Sequence, residues 1–177
     1  MANPITKLVR LKRENAQTMV EFALVFPIIL LITYGIIEFG RMVFIYASVT
    51  SAAREGARYG AAAGDVPGIS PKTPYYAYCD GIKEATQRGA ILTSIDPDTV
   101  SIWYESTPGI EDTDIGTCPP ALGAIRRGYR IGVRVIAYYS PIIPFLGLDQ
   151  NPVEITRQNA RTILVNVQMI TPAAPNP

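Results

Sequence analysis

There is no histidine in the 177-residue chain. That removes the commonest general base at neutral pH, the usual Ser-His-Asp and Cys-His arrangements, and most zinc and haem sites. Asp, Glu, Lys or Cys could still carry chemistry, but no nucleophile has a plausible base beside it and no glycine loop has phosphate-binding spacing. The acids of Asp96-Pro-Asp98 and Glu111-Asp-Thr-Asp114 lack the spacing and terminal glutamate of a calcium loop and read as solvated turn residues. No enzyme activity, catalytic residue, metal or cofactor is therefore expected. Net charge is nearly absent as well: 16 basic against 15 acidic side chains leave +1, which argues against nucleic acid as a partner.

Cysteine is scarce. Cys79 and Cys118 are the only two, too few for a metal site without histidine. If their part of the chain is exported, they are expected to form a disulfide that closes a loop of about 40 residues and contributes roughly 4 kcal/mol by chain entropy. The alternative is two unpaired small apolar side chains.

What the chain has in plenty is apolar length near its N-terminus. Between Glu21 and Glu38 there is no charge, and Phe, Leu, Val and Ile dominate. That stretch falls short of the roughly 20 residues a span needs, but the apolar pattern resumes at Phe39 and continues through Tyr46. Glu38 and Arg41, three apart on one helix face, can neutralise each other as an interfacial ion pair. A membrane helix over about 19–46 is predicted, kinked or loosened near Pro27, whose missing N–H removes one backbone hydrogen bond. Lys7, Arg10, Lys12 and Arg13 precede it. By the positive-inside rule, residues 1–13 are cytoplasmic and the chain after about residue 47 is extracytoplasmic. A cleaved secretory signal fits poorly, because the apolar run is too long, Glu21 interrupts its start, and no compact small-x-small site follows it.

Glu21 stands at the front edge of this run. A carboxylate there is costly unless paired, protonated or solvated. Either it lies among the lipid headgroups, or it pairs with a cation of a neighbouring chain.

The run Gln17-Thr-Met-Val-Glu21-Phe, then Gly35-Ile-Ile-Glu-Phe-Gly-Arg41, then Ala52-Ala-Arg-Glu-Gly-Ala-Arg-Tyr-Gly60, resembles the TadE-like family, pseudopilins or minor pilins of tight-adherence (Flp-type) type IV pilus systems. The resemblance covers 17–62 and leaves the rest matched only in layout. It implies a prepilin peptidase cut between Ala16 and Gln17, which makes residues 1–16 a basic leader and Glu21 the fifth mature residue. It also implies that Glu21 meets the new N-terminal amine of an adjacent subunit. Physics agrees: an ammonium and a carboxylate, both close to hydrocarbon, gain most by pairing. Pilin-like leaders usually carry glycine before the cut, where this chain has Ala16. The implied partners are the prepilin peptidase, the assembly platform, the major pilin, other minor pilins and the lipid bilayer. The implied location is the inner (cytoplasmic) membrane, single-pass, or the pilus. The rival is a bitopic membrane protein with an uncleaved anchor and an independent extracytoplasmic binding domain.

After the membrane run, residues 48–63 are expected to stay helical. Ala52, Gly56 and Gly60 form a small-residue stripe that suits close packing, either on the chain's own domain or against another subunit's helix. With residues 17–63 as the helical region, 64–170 form the exported domain and 171–177 a disordered tail. Within the domain, 75–87 read as a second helix with Tyr78, Ile82 and Ala85 on one face. Residues 100–104, 129–139 and 155–169 read as strands, and 107–123 as a long loop. Ser140 to Leu148 is apolar and too rich in proline for a central strand; it either dips toward the membrane surface or caps the core. The expected fold is α+β: a long N-terminal helix and a small antiparallel, pilin-like sheet.

Overall fold

The computed structural model describes residues 4–91, 93–111, 115–121, 123–143 and 152–165, with side chains described from Gln17 onward. Its elements are α1 (Pro4–Gly60), α2 (Cys79–Gly89), β1 (Val100–Glu105), β2 (Arg130–Tyr139) and β3 (Val153–Thr162). They make an α+β chain with one three-stranded antiparallel sheet in the order β1-β2-β3. The ends of two predicted features, residues 166–169 of the last strand and the tail from Thr171, lie outside the described residues, as do Pro144 to Leu148 and Asp112 to Asp114.

The chain divides into two compact units, Met1–Met42 and Val43–Pro177. The first is the N-terminal part of α1. Its helix is unbroken across Pro27, a tolerance characteristic of apolar helices whose freed carbonyl finds another partner. From Met19 to Phe39 its large apolar side chains are exposed: Met19 at 77%, Phe22 at 63% and Leu24 at 69%.

The second unit begins well before the expected boundary at residue 64. The last turns of α1 supply core rather than linker: Val49, Ala52, Ala53 and Ala57 are buried. They meet the inner face of the sheet, built from Val100, Ile102 and Tyr104 of β1 and Ile131, Val133, Val135 and Ala137 of β2. Each of these larger side chains contributes roughly 1.5–3 kcal/mol by leaving water. From α2, Ile82, Ala85 and Thr86 complete the layer. The helix ends at Gly60, and Gly64, with φ +90°, turns the chain away in a conformation that L side chains rarely adopt.

Two elements depart from expectation. Residues 75–87 do not form one helix: a single 3-10 turn, Tyr75–Ala77, precedes α2. The break has a cause in the tertiary structure, because the Tyr76 carbonyl accepts a 2.6 Å hydrogen bond from the buried Tyr104 hydroxyl instead of entering a helix. The last strand also ends earlier than predicted, at Thr162. Ile163 then turns inward, buried, with its N–H donating to the Tyr129 carbonyl at 2.8 Å.

Candidate functional site

In the first unit, Glu21 lies on the exposed surface of α1 and accepts a hydrogen bond from the Gln17 side chain, four residues earlier, at 3.1 Å. The residue on either side of the implied cut, Ala16 and Gln17, is helical. Further along, Arg41 Nη1 donates to Glu38 Oε2 at 2.8 Å. Helical spacing puts the two charges on one face, and pairing lowers the cost of holding them in an otherwise apolar stretch. One helix thus carries a carboxylate at the entry of its apolar run and a neutralised pair near its exit.

In the second unit, the stripe of Ala52, Gly56 and Gly60 faces the chain's own domain. A Cβ at Gly56 would fall 2.1 Å from Thr86 Oγ1 and 3.2 Å from Val133 Cγ1. One at Gly60 would fall 2.7 Å from Ile131 Cδ1. α2 answers with its own glycine: a Cβ at Gly89 would be 3.0 Å from Ala52 Cα. Helix, helix and sheet approach closely because none of these positions carries a side chain. No second subunit can use this face while it is filled.

Cys79 and Cys118 are joined in a disulfide. The bridge ties the first turn of α2 to the long loop after β1, beside a cleft of about 620 Å³ bounded by Asp80, Lys83, Ser101, Ile102 and Thr117. The cleft carries one carboxylate, Asp80, and one ammonium, Lys83. Asp96 is committed elsewhere: its carboxylate accepts from the Asp98 N–H at 2.9 Å and caps a short 3-10 turn.

The sequence reading missed a cluster on the outer face of the sheet. Trp103 lies over Gly132, its direct partner in the register, where a Cβ would fall 2.2 Å from the indole. The Arg134 guanidinium stacks 5.0 Å from that ring. Beside them Glu105 is buried and fully engaged. It accepts from Trp103 Nε1 at 3.1 Å, from the Gly109 N–H at 3.1 Å and from Arg130 Nη1 at 3.0 Å. A buried carboxylate is tolerable on these terms, charged partner and hydrogen bonds together. The alternation of Trp103 and Glu105 with the buried Ile102 and Tyr104 was a signal, but which arginines lie opposite follows only from strand register. On the inner side, burial pushes the Tyr104 hydroxyl well above the usual tyrosine range.

A family model described as TadE-like protein matches residues 16–58. Comparison with curated proteins and with solved structures gives no match. The matched segment begins at Ala16, contains Glu21, Glu38 and Arg41, and ends within the buried small-residue stripe. An apolar helix long enough to cross a membrane coincides with it. Residues 16–58 of this chain therefore form a TadE-like region whose apolar helix suits a membrane anchor.

Proposed function

We propose that the protein is a minor pilin or pseudopilin, inserted in the inner membrane with its N-terminus cytoplasmic, that contributes to assembly of a tight-adherence type IV pilus. The observation that carries this reading is the coincidence of the TadE-like match with a helix whose apolar side chains are exposed over residues 19–39. Such a surface is stable in lipid or against other apolar helices, not in water. Because Ala52, Gly56 and Gly60 pack within their own domain, subunit packing falls to residues 17–42. The reading assigns the chain no catalytic activity. Its partners are the prepilin peptidase, the assembly platform, the major pilin and other minor pilins.

Leader processing is the test that separates this role from an uncleaved bitopic receptor. N-terminal sequencing of the protein from its native host gives Gln17 as the first residue if the peptidase acts. An intact leader in assembled material overturns the cleavage step. Glu21→Ala then leaves membrane insertion unchanged and reduces co-purification with pilus components, because the ammonium freed at Gln17 loses its partner. Unaltered co-purification would refute the pairing.

A further inference from the structure

β3 is an edge strand with an unusual inner face. It pairs with β2 over all ten of its residues, with none of the prolines or bulges that blunt an exposed edge. On the side of the sheet that carries the core, β2 presents Ile131, Val133 and Val135, and β3 presents Arg161, Asn159 and Arg157 opposite them. Arg161 is exposed. The Glu55 carboxylate feels its charge but is itself paired with Arg58. Inward-facing charge on an edge strand rejects apolar strands. It admits a partner whose surroundings supply the opposite charge.

Hydrogen-bond alternation shows which backbone groups face outward. The Ile163 N–H donates to the Tyr129 carbonyl directly opposite it, so the odd-numbered residues of β3 bond to β2. The N–H and C=O of Glu154, Thr156, Gln158, Ala160 and Thr162 therefore point away from β2. Among the described residues only one of these groups is taken, the Ala160 carbonyl, which accepts from Arg130 Nη2 at 3.0 Å. The same alternation, carried across β2, turns Val100, Ile102 and Tyr104 outward on β1. The Val100 N–H donates to the Pro97 carbonyl. The Ile102 N–H and C=O have no partner among the described residues. Val100, Ser101 and Ile102 border the cleft of about 620 Å³ that Asp80 and Lys83 of α2 also line. Of that pair Lys83 is half-buried, while Asp80 is exposed and makes no ion pair among the described residues.

We propose that the β1 edge of one copy receives the β3 edge of a second copy, as a parallel strand seated in this cleft, with Arg161 of the second copy against Asp80. β1 and β3 both run antiparallel to β2 and hence parallel to each other. A copy set alongside without being turned over thus offers β3 to its neighbour's β1. Laid in line, the added strand brings its Arg161 level with Tyr104, because Arg161 opposes Ile131 and Ile131 opposes Tyr104. Asp80 belongs to the same level. A Cβ at Gly60 would fall 2.7 Å from Ile131 Cδ1 and 3.1 Å from Cδ1 of Ile82, which follows Asp80 by two residues in α2. In this alignment Asn159 of the second copy opposes Ile102. The Ile102 N–H then donates to the Gln158 carbonyl, and the Ile102 carbonyl accepts from the Ala160 N–H. Each copy offers a different edge on its two sides, so the contact is heterologous and repeats into a ring or an open row. It is drawn from the second unit alone and does not depend on how residues 17–42 pack.

Photo-crosslinking of the full chain in detergent tests the contact. A benzophenone side chain is placed at position 158, and isotopically labelled and unlabelled protein are mixed before irradiation. Mass spectrometry then separates crosslinks between copies from those within one. The expected crosslinks join position 158 of one copy to β1 or to the start of α2 in another. Asp80→Arg and Arg161→Asp should each lower their yield about tenfold, since each sets like charges face to face. The double variant D80R/R161D should restore it. Crosslinks from 158 to β3 of the other copy assign a pairing of two β3 edges and overturn the proposal. Crosslinks confined to single copies overturn it as well. Yields unchanged in both single variants, or no recovery in a double variant that keeps its disulfide and helical content, remove Arg161 from Asp80 and overturn the seating. The crosslink map of the parent needs neither charge variant, so it decides the pairing even if one of them fails to fold.

Discussion

Two lengths of one helix behave oppositely. Over residues 17–42 of α1 the large apolar side chains are exposed, Leu24 at 69% and Ile36 at 68%. Over 43–60 the buried residues are small apart from Val49, with Ala52 and Ala57 at 0%. Glycine marks the same contrast. A Cβ at Gly35 or Gly40 meets nothing within 4 Å, whereas at Gly56 and Gly60 it collides with the sheet or with α2. Exposed apolar bulk belongs to a helix that takes lipid or other helices as its solvent. Buried small residues belong to a helix held by its own domain. Burial in this chain thus follows the partner a surface meets, not the hydrophobicity of the side chain.

That contrast can be tested from both sides, beginning with the largest effect. Replacing Cys79 and Cys118 by serine releases a loop spanning a sequence separation of 39 and should cost the second unit about 4 kcal/mol. Denaturant unfolding in detergent would show it, while insertion of the first unit stays unchanged. If insertion fails as well, the two units are not independent in stability. Next, Gly56→Leu should destabilise the second unit by about 3 kcal/mol, since the helix can neither yield nor rotate without opening the core. Gly35→Leu should leave that stability unaltered. A comparable loss at Gly35 would erase the distinction drawn here; a loss of assembly alone at Gly35 would place a subunit contact on its face.

The smallest expected effect is at Tyr104. Tyr104→Phe removes the hydroxyl that donates to the Tyr76 carbonyl and should cost about 1 kcal/mol. The pH dependence has a definite sign. Burial raises the Tyr104 pKa in the folded state, so its contribution is complete below the unfolded value of about 10 and is lost as pH rises above it. Thermal unfolding of the parent should therefore fall more steeply above pH 10 than that of Y104F. Parallel curves would mean that the hydroxyl is not held out of water.

Much of this was legible in the residues. Alternation in 100–104 and 129–139 located β1 and β2 because the inner-face positions of each are apolar throughout, Val100, Ile102 and Tyr104 in one and Ile131, Val133, Val135 and Ala137 in the other. β3 was harder. Its inner-face positions, opposite Val135, Val133 and Ile131, are Arg157, Asn159 and Arg161, so this edge strand carries little hydrophobic signal. The cluster of Trp103, Gly132, Glu105, Arg130 and Arg134 was invisible for another reason. Its members lie on two strands separated by the long loop, and only register brings them together. Cys79 and Cys118 could be expected to pair, but the cleft beside them could not be read, since it depends on where α2 meets β1.

An uncharged apolar run preceded by lysine and arginine favours a membrane-type helix, because only a helix satisfies its backbone within a single segment in hydrocarbon. Histidine's absence and the near-zero net charge restrict the chemistry just as directly. Where the helix stops being anchor and becomes core was not written in its composition. Ala52, Gly56 and Gly60 permit close approach by any surface, a neighbouring helix or a sheet alike. Val133, Ile131 and Thr86 arrive there from distant parts of the chain, and their packing assigned that stripe to the protein's own interior.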